Sequence, residues 1–270
     1  MPELPEVETT LRGIEPHIVG KVVRTVVVRQ PSLRWPVSPE LSQVMTGNRV
    51  IVISRRAKYL LFGTKTGRMM VHLGMSGSLR ITNDSTALKK HDHVDIVFDD
   101  GTVLRYHDPR RFGSVFWIPE GSSHALIDNL GPEPLSDEFD GNYLYELSRR
   151  RKLSIKLFIM DSKVVVGVGN IYANEALHRA GIRPDRFAGR VSLDRYATLS
   201  REIKDLLIRA ISSGGTTLRD FVREDGSPGY FKQSLLVYGR GSEPCLSCGG
   251  GLQEVRISNR TTVFCANCQR

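Results

Sequence analysis

The stretch HDHVDIVFDDGTVLRY, residues 91–106, sets two short apolar runs on either side of Asp99-Asp100-Gly101. Their β-branched content and partial alternation mark strands, and the acid-glycine break between them marks a turn. The same texture extends outward in both directions, as KVVRTVVV (21–28), RVIVIS (49–54), YLLFG (59–63), RMMVHL (68–73) and SVFWI (114–118). Gly, Pro, Asn and Asp separate most of these runs. Residues 21–118 are therefore expected to form an antiparallel sandwich or barrel rather than alternating strand and helix units. Ahead of them, residues 5–13 predict a short helix whose early acids suit the helix dipole.

The period changes after GPEPLSDEFDG (131–141), a stretch rich in Pro, Gly and acids that reads as a domain boundary. In residues 193–211, Leu193, Tyr196, Leu199, Ile203, Leu206, Leu207, Ala210 and Ile211 form one helical stripe, with Ser192 before it and Gly214 after it. A second helix is expected over residues 170–180, entered through the glycine-rich turn GVGN and closed by Gly181 and Pro184.

With 270 residues, 40% hydrophobic and 25% charged, the chain is long enough for two domains and has none of the marks of disorder or low complexity. Its 38 basic and 29 acidic side chains give a net charge of +9, which points to a polyanionic partner, nucleic acid first. Both halves are basic, 17 against 13 before Gly131 and 21 against 16 after it, so an anion-binding surface between them is expected. The longest stretches without a charge, 69–79 and 164–174, hold 11 residues each, whereas a spanning helix needs about 20. The acidic N-terminus, MPELPEVETT, does not read as a secretory signal, so a cytosolic protein is expected.

All four cysteines fall in the tail as C-x2-C-x16-C-x2-C: Cys245, Cys248, Cys265 and Cys268. Two such knuckles bring four thiolates to one tetrahedral zinc, and a reducing compartment favours metal over the alternative of two disulfides. Four cysteine ligands leave no open position for water, so the zinc is expected to be structural. The apolar runs 252–257 and 261–264 flank a Ser258-Asn259-Arg260 turn, which places the metal at the base of a hairpin.

At the other end, Pro2 becomes a secondary amine once Met1 is removed. An α-amino group has a free-base fraction at pH 7 roughly a hundredfold above that of a lysine, so it can attack a sugar carbon and form an iminium. Glu3 could then act as general acid, with Glu6 orienting water or substrate. Read alone, the same residues also fit an ordinary helix start with dipole-matched acids.

Taken with the cysteine tail, the chain resembles the formamidopyrimidine-DNA glycosylases over essentially its full length. The resemblance rests on PELPEVET at the start, RRAKYL (55–60), HLGMSGSLR (72–80), KHDHVD (90–95) and DPRRFG (108–113). It continues in LGPEPL (130–135), VVGVGNIYANE (165–175), GGTTLRDF (214–221) and the cysteine knuckles. It implies an α+β multidomain protein: an antiparallel β-sandwich with flanking helices at 1–131, a helix-two-turns-helix module at 132–240, and a zinc hairpin at 241–270. Damaged duplex DNA would be bound across the cleft between domains by a monomer, in the cytoplasm of a bacterium at its nucleoid.

The resemblance further implies that Pro2 attacks the anomeric carbon of an oxidised purine nucleoside and then cuts the strand by β and δ elimination. Glu3 matches the proton donor, Glu6 its partner, and Lys58 the lysine that supports elimination. Asn170 and Arg260 match residues that clamp flanking phosphates, for which a helix N-terminus and an arginine fork are well suited. Met75, Arg110 and Phe112 match the triad that fills the gap left by the extruded base, with Arg110 reading the widowed cytosine. Without the resemblance, Met75 and Phe112 would read as core residues and Arg110 as a solvated charge. His72, His91 and Arg151 match further DNA contacts, Arg151 standing where some relatives carry lysine. The glycine-rich segment 213–230 matches the loop that closes over the extruded base.

Two rivals are separable. The sister enzymes that remove oxidised pyrimidines share proline, fold and hairpin but usually begin PEGPE rather than PELPE. A noncatalytic zinc-hairpin binder would explain charge and cysteines but has no use for a free Pro2 beside Glu3.

Overall fold

The computed structural model describes residues 2–215 and 234–270, and the chain divides into two compact units. The first comprises residues 1–128 and 213–230, and the second residues 129–212 and 231–270. Most of the expected closing loop, 216–230, lies outside the described residues.

In the first unit, helix α1 (Leu4–Ile18) is followed by β1 (Val23–Val28), the short α2 (Leu41–Met45), seven strands and the short α3 (Ala125–Asp128). The strands are β2 (Val52–Arg56), β3 (Tyr59–Gly63), β4 (Gly67–His72), β5 (Ser78–Asn83), β6 (Asp92–Phe98), β7 (Thr102–His107) and β8 (Ser114–Pro119). They form two four-stranded antiparallel sheets, ordered β1-β6-β7-β5 and β2-β3-β4-β8. Val26, Ile96 and Leu104 from one sheet and Ile53, Phe62 and Val71 from the other share a single core, the arrangement of a sandwich. Helix α1 contributes Val7, Leu11, Ile14 and Ile18 to it, all within 8% of full burial. That stripe explains why α1 runs past Gly13, beyond the expected stop: Ile14 and Ile18 complete one buried face.

Strand β5 was not among the expected runs. Its apolar content is only Leu79 and Ile81, set between Ser78, Arg80 and Thr82, and it is held by full pairing with β7.

The second unit holds α4 (Gly141–Ser148), α5 (Ile155–Met160), α6 (Asn170–Arg179), α7 (Leu193–Ser212) and the hairpin β9 (Leu252–Ile257) and β10 (Arg260–Cys265). Asp140 caps α4 by accepting from Tyr143 N, and Ser154 caps α5 by accepting from Leu157 N. In α7 the stripe Tyr196, Leu199, Ile203, Leu206, Leu207 and Ala210 is buried, as its spacing required, whereas Leu193 is exposed. Ser258 and Asn259 both take positive φ, 49° and 60°, and form a two-residue turn. Arg260 therefore opens β10, opposite Ile257, instead of belonging to the turn as expected. Among the described residues no helix is long and apolar enough to cross a membrane.

Candidate functional site

In the first unit the N-terminal residues are held by the start of α1. Pro2 is buried, as are Glu3 at 3% and Glu6 at 0% exposure. Glu3 and Glu6 form a reciprocal capping box, in which Glu3 N–H donates to Glu6 Oε2 at 2.8 Å. A Cβ on Gly215, which has φ +79°, would come within 3.3 Å of Glu6 Oε1, so the described start of the glycine-rich segment lies directly against that carboxylate.

One turn further along α1, Glu8 accepts from Arg55 Nε at 3.0 Å and Arg12 Nε at 2.9 Å. Burial works to raise the Glu8 carboxyl, but the two guanidinium groups outweigh it and hold it below the usual carboxylate range. Arg55 also donates to Ala57 O at 2.8 Å, within the turn between β2 and β3 that carries Lys58. Arg55 thus ties the helix bearing Glu3 and Glu6 to the turn bearing Lys58. Across the sheet Tyr59 pairs with His72, their rings 4.9 Å apart. Burial, with the charges of Lys58 and Arg34, pushes His72 down to about 4. Its Nδ1 accepts from Gly74 N–H at 3.0 Å, a bond that requires an unprotonated nitrogen.

Met75, Arg110 and Phe112 lie on two loops that touch. A Cβ on Gly74 would collide with the backbone of Phe112 and Gly113. The buried carboxylate of Asp108 joins the loops: Oδ1 accepts from Ser76 Oγ at 3.1 Å and Arg110 N at 3.3 Å. Its Oδ2 accepts from Gly113 N at 2.8 Å and Tyr106 Oη at 3.1 Å. The Tyr106 hydroxyl fills the space beside two glycines, since a Cβ on Gly77 would lie 2.8 Å from it and one on Gly113 would overlap it. On this frame Phe112 is 42% exposed, with the Arg110 guanidinium 4.9 Å from its ring centre. An exposed aromatic and cation on a pinned loop do not form a core, so the core reading of Phe112 is corrected. His91 lies at the foot of the same loop, where its carbonyl accepts from Asp108 N at 3.1 Å.

In the second unit Asn170 opens α6 and donates from Nδ2 to Thr261 O at 3.1 Å, which brings it next to exposed Arg260. Two buried charged residues anchor the hairpin and the segment that leads into it. Lys156 Nζ donates to Thr261 O at 3.1 Å and Thr262 Oγ1 at 2.6 Å. The Glu175 carboxylate accepts from the backbone N–H groups of Leu236, Val237 and Tyr238 at 2.8–2.9 Å. Arg151 is exposed in the loop between α4 and α5, and no contact among the described residues joins it to Asn170 or Arg260.

The Sγ atoms of Cys245, Cys248, Cys265 and Cys268 all lie within 4.8 Å of one another, with Cys248–Cys265 at 3.5 Å and Cys245–Cys268 at 3.9 Å. A tetrahedral zinc with Zn–S of about 2.3 Å requires sulfurs about 3.8 Å apart, so the four residues fit one ion. His178 Nε2 lies 3.6 Å from Cys245 Sγ, an outer contact that helps orient the thiolate.

A helix-led β-sandwich, a helical module and a four-cysteine hairpin define the class of zinc-hairpin protein to which the chain is similar. The chain matches the models of the formamidopyrimidine-DNA glycosylase N-terminal domain over residues 1–115, its H2TH domain over 130–222, and the zinc finger found in FPG and IleRS over 242–270. It is 56% identical to the formamidopyrimidine-DNA glycosylase of Stutzerimonas stutzeri and 55% identical to that of Marinobacter nauticus, in each case over the whole of both chains. The crystal structure of a Lactococcus lactis FPG mutant with a Fapy-dG containing DNA superposes with a TM-score of 0.92 at 33% identity, covering all of both chains. The Thermus thermophilus protein gives 0.89 at 36%, covering 99% of this chain and 98% of that one. The chain belongs to the formamidopyrimidine-DNA glycosylase family.

Proposed function

We propose that this protein excises oxidised purines, 8-oxoguanine and formamidopyrimidines, from duplex DNA, with Pro2 as the covalent nucleophile. The observation that carries the reading is the start of α1, where Pro2 is followed by two buried carboxylates in a family that acts on damaged DNA. The Pro2 nitrogen attacks C1′ of the damaged nucleoside. The glycosidic bond breaks, its electron pair leaves with the base, and Glu3 supplies the proton. The amine loses its proton, and its lone pair then closes an iminium with C1′ as the C1′–O4′ bond of the sugar breaks and O4′ takes up a proton; loss of a C2′ proton expels the 3′ phosphate, and a second elimination expels the 5′ phosphate. Lys58 assists elimination and contacts phosphate, while Glu6 orients the base and sugar.

Asn170 and Arg260 clamp the flanking phosphates. Met75, Arg110 and Phe112 fill the vacated stack, Arg110 reading the opposite cytosine, and His72, His91 and Arg151 add further DNA contacts. Zinc supplies no chemistry to bond breaking; held by the four cysteines, it fixes the hairpin that carries Arg260. The functional divisions are 1–131, 132–240 and 241–270, in a protein that acts as a monomer in the bacterial cytoplasm, at the nucleoid.

Borohydride reduction with an 8-oxoguanine:cytosine duplex tests this reading. A protein–DNA adduct on the N-terminal peptide is expected. Trapping on a lysine, or full lyase activity in Pro2→Gly with Met1 retained, defeats it.

A further inference from the structure

Beyond α6, at the end of the second unit remote from Asn170, a cavity of about 410 Å³ is lined by Arg183, Asp185, Arg186, Phe187, Arg190 and Arg270. At its edge the terminal carboxyl group of Arg270 is held by the chain, Arg183 N and Arg195 Nη2 both donating to Arg270 O, at 3.3 and 2.8 Å. Asp185 is the one acidic side chain in the lining, and both its oxygens are taken by the fork of Arg183, at 3.1 and 2.8 Å. Arg186, Arg190 and Arg270 meet no side-chain carboxylate among the described residues. The Nε of Arg186 is buried with no hydrogen-bond partner, an uncompensated desolvated donor. Burial and the neighbouring charge of Arg186 also hold the Arg195 guanidinium below the usual arginine range. Three guanidinium groups without a side-chain carboxylate line one cavity, and an oxyanion would match them.

The shape narrows the anion. Phe187 is 43% exposed, with the Arg190 guanidinium 5.4 Å from its ring centre, which makes a flat apolar and cationic shelf beside the arginine-lined hollow. We infer that this cavity binds a phosphate monoester, its terminal oxygens on Arg186, Arg190 and Arg270 and any attached base on the Phe187 shelf. Guanidinium forks match phosphate oxygens in geometry and charge. The site is separate from the Asn170 and Arg260 pair. Those two residues lie at the start of α6 and the tip of the hairpin, whereas the cavity lies past the far end of α6, about 15 Å along its ten residues.

The test is titration calorimetry of the zinc-loaded full chain with two probes, inorganic phosphate and 2′-deoxyguanosine 5′-monophosphate, at low ionic strength. Saturable binding is expected, weakened at least about tenfold in Arg186→Gln and in Arg190→Gln, since a charge-assisted hydrogen bond is lost in each. Cleavage of a lesion duplex should be unchanged in both variants. Tighter binding of the nucleotide, lost in Phe187→Ala, assigns the phosphate to a nucleotide; equal binding of the probes, indifferent to Phe187→Ala, assigns it to free phosphate. If neither probe saturates, or if binding ignores both arginine substitutions, the site does not exist. Arg190 is exposed, so Arg190→Gln serves as the folded variant should Arg186→Gln lower the melting temperature. A failure here leaves the Pro2 chemistry untouched, because borohydride trapping reads a different unit.

Discussion

Ser76 and Asp108, 32 residues apart, are joined by a 3.1 Å hydrogen bond that fastens the loop of Met75 to the loop of Arg110 and Phe112. The carboxylate has four donors and no exposure, so each oxygen is fully used. In Asp108→Asn one oxygen becomes an amide nitrogen that cannot accept, leaving two donors unmatched. Loss of about 1–3 kcal/mol for each is expected in urea unfolding. The duplex affinity should fall while borohydride trapping on a single-stranded abasic substrate persists. Unchanged stability would show that the carboxylate is not the hub.

Arg110 and Arg260 should differ in kind. Arg260→Ala should weaken binding whatever the opposite base and reduce the salt dependence by about one counterion. Arg110→Ala should erode the preference for cytosine over adenine opposite 8-oxoguanine by about 1–3 kcal/mol. Affinities for duplexes with each opposite base, at several salt concentrations, decide between them; undiminished cytosine preference in Arg110→Ala would sink the assignment.

Removal of zinc should act on the hairpin alone. The cluster beneath it is small, Val237, Cys245, Leu252, Val263 and Cys265, too little apolar area to hold two strands without the metal. Chelation or Cys248→Ser should abolish binding to lesion duplexes while leaving the sandwich folded by near-ultraviolet circular dichroism. Normal affinity in metal-free protein would contradict this.

His72 gives a pH signature. Its ring takes a proton near pH 4 in the folded protein and near 6.5 when unfolded. Between those values the unfolded chain holds more protons, so stability is full above about 6.5 and falls as the pH drops toward 4. Part of that fall should vanish in His72→Gln, and the His72 ring resonances should titrate near 4; titration near 6.5 would refute the assignment.

Where hydrophobic period is strong, the sequence and the structure coincide: the seven β-rich runs, α6, α7 and the cysteine hairpin were all legible. Strand β5 was not, because two apolar residues behind a glycine-rich loop carry little signal and its place is fixed by partners on β7. The site divides the same way. Cysteine spacing announces itself, Pro2 beside Glu3 reads either as a nucleophile or as an ordinary helix start, and Met75 and Phe112 read as ordinary residues until the resemblance is drawn. Asp108 stayed hidden because its partners, residues 76, 106, 110 and 113, meet only in the fold. Lys156 and Glu175 had a weak signal, a lone charge inside the runs IKLFIM and NIYANEAL; Lys156 uses it to hold Thr261 and Thr262 of the hairpin, and Glu175 to hold the backbone of residues 236–238 ahead of it.

The Tyr106 hydroxyl occupies the volume that a side chain at Gly77 or Gly113 would need, and it is also one of the donors to Asp108. A descendant that gains a methyl group at either glycine must first give up that hydroxyl, and giving it up strips a donor from the carboxylate. Nor would the loss open either position, since a Cβ on Gly77 would still collide with Leu73 O and one on Gly113 would still meet His72 O at 2.5 Å. Both glycines are held from two sides, by the hydroxyl and by a backbone carbonyl, so alanine should be rejected at either position even beside Tyr106→Phe.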